Sequence, residues 1–215
     1  MRILSPTLLF VAALTATAHA ASPVPLFSGH DFAGWEYINT SAAAIEVATV
    51  CTLGPDGVIA AAGKPSGYIT TTRSYANFRL HAEWRWPGRP GNGGVLVHIS
   101  SGPKDRVWPL CYQVQLKHQA VGDLLPMAGA AFAEALTSAP GATPAIKAHI
   151  AADSEKPAGE WNSCDIICRG DSVEVVINGI PQNGVTGCSL REGAVGFQFE
   201  GAPFELRQVT VTPLD

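Results

Sequence analysis

Asn77-Phe78-Arg79-Leu80-His81-Ala82-Glu83-Trp84-Arg85-Trp86 alternates polar and apolar side chains without a break. Successive side chains of a β-strand point to opposite faces. Phe78, Leu80, Ala82, Trp84 and Trp86 therefore belong to a core, and Arg79, His81, Glu83 and Arg85 form a polar row. Such a row either meets solvent or lines a polar groove, and for a strand taken alone solvent is the favoured reading.

Working outward, further short runs bounded by Gly, Pro or Asn read as strands: 67–72, 94–100, 111–117, 162–169, 172–177, 194–200 and 204–212. The 22 glycines and 16 prolines supply the many tight turns this rhythm needs. Arg169-Gly170-Asp171 and Asn178-Gly179 sit between alternating runs, so residues 164–180 read as a hairpin. The expected architecture is an all-β sandwich or jelly roll. One stretch departs from it. Residues 127–152 are rich in Ala, Pro and Thr and read as a long covering loop of the kind that shapes binding sites, with a short helix expected over 128–136.

Arg2, an apolar run over 3–18 and the small-x-small sequence Ala18-His19-Ala20 read as a secretory signal over 1–20. The mature chain, 21–215, is expected to be one β-sandwich domain, periplasmic or secreted, with no membrane span once the signal is removed. The net charge of −4 and the scattered basic residues argue against nucleic acid and anionic membrane partners. Cys51, Cys111, Cys164, Cys168 and Cys188 leave at least one thiol unpaired. Cys164 and Cys168, on one strand, stand about 13 Å apart, too far to bond to each other. Buried thiols, or one or two bridges, account for the set. No zinc-ligand spacing is present.

Alternation also sorts the polar residues. In 111–118, Gln113, Gln115 and Lys117 share a face opposite Tyr112, Val114, Leu116 and His118. In 94–100, His98 falls with Leu96 and Ser100, opposite Val95, Val97 and Ile99. In 194–200, Gln198 and Glu200 lie opposite Val195, Phe197 and Phe199. Should these polar faces coincide in one sheet, they offer the paired donors and acceptors that sugar hydroxyls require. The chain carries no Gly-x-Ser-x-Gly elbow, phosphate-binding glycine loop or His-Glu-x-x-His.

Several stretches match one pattern in order. Leu26-Phe27-Ser28-Gly29-His30-Asp31-Phe32-Ala33-Gly34-Trp35 resembles the "LFNGKDLxGW" opening of the 3-keto-disaccharide hydrolase domain family (DUF1080). Tyr75 to Arg85 is similar to its glutamate-bearing strand, Gly91-Asn92-Gly93-Gly94-Val95 to its "GNSGV" turn, and Trp108-Pro109 with Tyr112 to Leu116 and Ala120 to Asp123 to its "WP…EvQL…aGD" segment. Pro157-Ala158-Gly159-Glu160-Trp161-Asn162 resembles "kPxGEWN", and Asn178-Gly179 and Gly196-Phe197-Gln198 follow in order. The resemblance implies a concanavalin A-like jelly roll and cleavage of glycosides that carry a ketone at sugar carbon 3. That chemistry needs a base for the carbon 2 proton, donors to the enolate and an acid for the leaving oxygen.

On this resemblance Glu83 and His98 are the expected proton-transfer pair, with Asn92, Gln113, Gln115, Glu160 and Gln198 binding substrate. Gln113 stands where the family pattern has glutamate, and a glutamine cannot take a proton; if that glutamate is the base elsewhere, this chain is altered in mechanism or is a binder. His118 stands where many relatives have aspartate, which counts against a metal anchored at that position. No cofactor is expected, and a divalent metal is left open. A non-catalytic carbohydrate-binding module of the same fold is the alternative.

Overall fold

The computed structural model describes residues 21–41 and 43–215. The signal expected at 1–20 lies outside the described residues. In chain order the elements are β1 (Val24–Pro25), β2 (Trp35–Ile38), α1 (Val47–Val50), β3 (Cys51–Leu53), β4 (Ile59–Ala61), β5 (Gly67–Thr71), β6 (Phe78–Arg85) and β7 (Gly93–Asp105). They continue with β8 (Trp108–Gln115), β9 (Leu124–Met127), β10 (Asn162–Arg169), β11 (Ser172–Ile177), β12 (Ile180–Val185), β13 (Ala194–Phe199) and β14 (Phe204–Pro213).

The described strands form two antiparallel sheets. The larger runs β12-β11-β10-β6-β14-β4-β3, with β1 added on β14; the smaller runs β2-β5-β13-β7-β8-β9. One core lies between them. From β6 it takes Phe78, Leu80, Ala82 and Trp84, each 1% exposed, and from β13 it takes Val195, Phe197 and Phe199. Each large apolar side chain buried there is worth about 1.5–3 kcal/mol. The sandwich architecture expected from the sequence is the one observed.

The short runs missed by pattern reading are β1 to β4, β9 and β12, where two to six residues give too few alternations to stand out. Between β11 and β12, Asn178 (φ 50°) and Gly179 (φ 78°) make the two-residue turn whose left-handed backbone matches strand twist. In β14, Leu206, Val209 and Val211 are all buried, a spacing that an uninterrupted strand forbids. A bulge between Arg207 and Thr210, with Gln208 at φ 50°, resets the phase and keeps the apolar set inside.

The helix expected over 128–136 is not formed, and α1 is elsewhere. Ala128 (φ 54°) and Gly129 (φ 104°) break the backbone at its start. Bonds from the rest of the fold then hold the segment irregular: Tyr112 Oη donates to the Ala131 carbonyl at 2.7 Å, and Ala133 N to the Thr186 carbonyl at 2.8 Å.

The polar row of β6 faces outward from the larger sheet and is neutralised across the strands. Arg79 and His81 meet Asp165 on β10 at 3.0 and 2.8 Å, while Glu83 pairs with Arg207 and Arg85 with Glu205 on β14. The Trp161 ring lies against both guanidinium groups, 4.5 Å from Arg85 and 4.2 Å from Arg207.

All five cysteines are unpaired and buried. Burial pushes the Cys51 thiol up to about 12 and those of Cys111, Cys164, Cys168 and Cys188 above their ordinary value. A thiol-titrating reagent should therefore react slowly with the folded protein and release five equivalents once denaturant is added. Fewer than five in denaturant would mean that bridges form.

Candidate functional site

The outer face of the smaller sheet bears the side chains suited to a polar ligand. Register sets them side by side: Gln198 on β13 lies opposite Gly94 on β7, which lies opposite Gln115 on β8, and Gln113 follows two residues along. Gly94 makes this possible. A Cβ there would stand 2.8–3.0 Å from the Gln113 amide and Cγ, so the missing side chain is the space across which Gln113 lies.

Lying flat, Gln113 Nε2 donates to Gln115 Oε1 at 2.6 Å and to Gln198 Oε1 at 2.9 Å. Gln198 Nε2 then donates to Glu200 Oε2 at 2.8 Å, and Asn92 Nδ2 to the same oxygen at 2.7 Å. Every amide orientation in the chain is fixed by its neighbour, and the chain ends on a carboxylate. Two acceptors, Gln113 Oε1 and Asn92 Oδ1, are buried and have no partner among the described residues. Because their NH2 groups are committed, these oxygens call for a donor from outside.

These residues line a cavity of about 580 Å³, whose other walls include Asp123, Lys117, Arg106 and Trp108. The volume lies within the range of small-molecule sites. Glu200 stands at its mouth with surface open to solvent, but the surrounding walls strip part of its hydration and raise its carboxyl above the ordinary 4.5, with Lys117 and Arg106 drawing it back. Both bonds to Glu200 fall on Oε2, and Oε1 takes none among the described residues. Asp123 is buried, and its Oδ1 accepts from the backbone N and ring Nδ1 of His149 at 2.8 and 2.6 Å, tying the end of the covering loop to the sheet.

The structure brings Asn92, Gln113, Gln115 and Gln198 together in this cavity and leaves Glu83, His98 and Glu160 outside it. Glu83 lies on the larger sheet, paired with Arg207. Glu160 is an exposed turn residue ahead of β10, and the neighbouring Asn162 pins that turn by accepting from Lys156 N at 2.8 Å and Asn178 Nδ2 at 2.9 Å. His98 corrects the alternation read from sequence. A bulge with His98 at φ 53° turns it to the core face, edge-on to Phe78 and Tyr112, with its nitrogens 3.2 Å from the Leu190 carbonyl and 3.3 Å from that of Ala76.

Glu200, Lys117, Arg106 and Asp123 were missing from the site read in the sequence. The phase of 194–200 already put Glu200 on the face of Gln198, and Lys117 shares the phase of Gln113; Arg106 and Asp123 arrive from turns and gave no periodic signal. No group of three or more His, Cys, Asp or Glu side chains suited to a metal occurs among the described residues.

The chain is a two-sheet antiparallel sandwich with an amide-floored cavity on one outer face, an architecture shared by glycosidase-like and carbohydrate-binding β-sandwiches. The chain belongs to the 3-keto-alpha-glucoside-1,2-lyase-like domain family, whose model matches residues 22–212. A candidate glycosyl hydrolase from Parabacteroides distasonis is 25% identical, with 90% of this chain and 94% of that one covered and a TM-score of 0.67. A carbohydrate-binding module from Bacillus subtilis is 14% identical over 83% and 95% of the two chains, TM-score 0.56. The β-glucanase of Bacillus licheniformis is 9% identical over 93% and 100%, TM-score 0.56. These last two share the fold. No curated protein matches the chain.

Two outcomes follow from this geometry. Gly94→Ala should lift Gln113 off the sheet and cost about 1–3 kcal/mol in urea unfolding, with sugar binding by calorimetry weakened as the amide chain breaks. Burial lowers the pKa of His98 from 6.5, against the pull of the Ala76 and Leu190 carbonyls and of Glu192. A neutral buried histidine contributes stability that is fully present above 6.5 and is lost as pH falls through that value toward the lowered folded one. His98→Asn, which tolerates the left-handed backbone, should show a smaller loss of urea midpoint across that window than the natural protein.

Proposed function

We propose that the chain is an exported enzyme that cleaves 3-keto-glycosides, with Glu200 as the base. The supporting observation is the chain of oriented amides that ends on a carboxylate of raised pKa beside two cations.

In this reading Glu200 Oε1 removes the proton at sugar carbon 2, which the carbon 3 ketone acidifies. Asn92 and Gln198 hold Oε2, so the free oxygen keeps one direction. Negative charge develops on the ketone oxygen, and Lys117 and Arg106, both lining the cavity, stabilise the enolate electrostatically. The electron pair then expels the carbon 1 substituent, which leaves as an alcohol after taking the proton that Glu200 removed from carbon 2. Addition of water to the resulting enone gives 3-keto-glucose, so the sum is one glycosidic bond hydrolysed for one water consumed. Gln113 and Gln115 hold sugar hydroxyls, the unpartnered Gln113 Oε1 accepting one of them.

This reading moves proton transfer away from Glu83 and His98, whose ion pair and carbonyl contacts suit them to holding the fold. A raised carboxyl pKa also suits a base working close to neutral pH.

Glu200→Gln should lower kcat on 3-keto-trehalose by at least about 100-fold while keeping substrate binding, since the amide preserves shape. In the natural protein kcat/KM should rise with pH through the Glu200 pKa, above the ordinary 4.5, and the variant should lose that limb. Unchanged turnover in Glu200→Gln would remove Glu200 from the mechanism. Sugar binding without turnover in the natural protein would make it a binding module.

A further inference from the structure

The cavity is floored by amides at one end, and toward the other its lining is largely apolar, with Asp105 and Arg106 of the β7–β8 turn and Thr143 as the polar members there. On β8 the outward residues run Gln115, Gln113, Cys111; on β9 Leu125 pairs with Gln113 and Met127 with Cys111. Moving along these strands away from Gln198 and Glu200, the lining therefore changes from amides to hydrocarbon. Trp108 closes that end, packed with Tyr68, Leu96, Cys111 and Met127. The covering loop completes it: the backbone bridge between Leu124 and Lys147 brings Ile146 beside Leu125, and Pro144 follows on the same wall.

Trp108, Met127 and Ile146 are each only partly buried, so this wall keeps apolar surface open to a ligand. The covering segment is tied down. Thr137 N donates to the Ile146 carbonyl and Ile146 N to Ser138 Oγ, which fixes the Ile146 backbone in the covering segment. A second sugar ring would set hydroxyls against Leu125, Met127 and Ile146, whose side chains offer no hydrogen-bond partner. A flat apolar group would bury against them and against Trp108.

We propose that the group leaving carbon 1 is apolar, an aryl alcohol in preference to a second sugar. This rests on the reading of the polar end as the site of the keto-sugar. The chemistry agrees: a phenol is more acidic than a sugar hydroxyl, so its departure needs less proton donation.

The test compares phenyl 3-keto-α-glucoside with 3-keto-trehalose, which share the anomeric configuration and differ in the leaving group. kcat/KM should favour the phenyl compound by about 10- to 100-fold, and Ile146→Asn should bring the ratio toward one. Equal or better use of 3-keto-trehalose, or a ratio unmoved by Ile146→Asn, overturns the inference. Turnover of neither compound counts against the proposed reaction. Calorimetry with phenyl α-glucoside and trehalose then decides the inference by itself: tighter phenyl binding that weakens in Ile146→Asn supports it, and equal binding overturns it.

Discussion

Both sheets must bury one face in the same core, and that requirement organises the molecule. Phe78, Leu80, Ala82 and Trp84 from one sheet meet Val195, Phe197 and Phe199 from the other. Polar side chains on these strands are thereby sent outward. What distinguishes the two outer faces is how their polar groups are satisfied.

On the larger sheet, opposite charges face each other across neighbouring strands, and Trp161 packs on the guanidinium groups of Arg85 and Arg207. That surface is internally balanced. On the smaller sheet the groups are amides, each able to donate and accept, and they close on one another only in part. Gln113 and Asn92 keep unbonded oxygens, and Glu200 keeps a free one. Unfinished hydrogen bonding in a walled cavity makes this face the candidate ligand site, whereas the ion-pair row of the other face is satisfied within the protein.

Backbone irregularity at two positions decides which side chains take part. At Gln208 a bulge preserves the apolar phase of β14. At His98 the same device takes an imidazole out of the outer face and packs it in the core against Phe78 and Tyr112. A strand read as uninterrupted assigns His98 to the amides; one left-handed residue sends it to the other side of the sheet.

The sandwich is legible in the order of amino acids, because the unbroken alternation of β6 and the short turn-bounded runs around it encode a buried and an exposed face wherever those strands end up. The sequence also determined that Gln113, Gln115 and Gln198 share an outward phase, and its ordered motifs determined the family. Only the tertiary structure decided that Glu83 and Gln113 stand on different sheets, since alternation defines a face of a strand and not its neighbours. It alone decided that Glu200 anchors the amides, that Arg106 and Asp123 reach the cavity from turns, and that residues 128–136 are held as irregular chain. Those outcomes depend on register, on a missing Cβ at Gly94 and on bonds between residues far apart in the chain, none of which leaves a periodic trace in the order of amino acids.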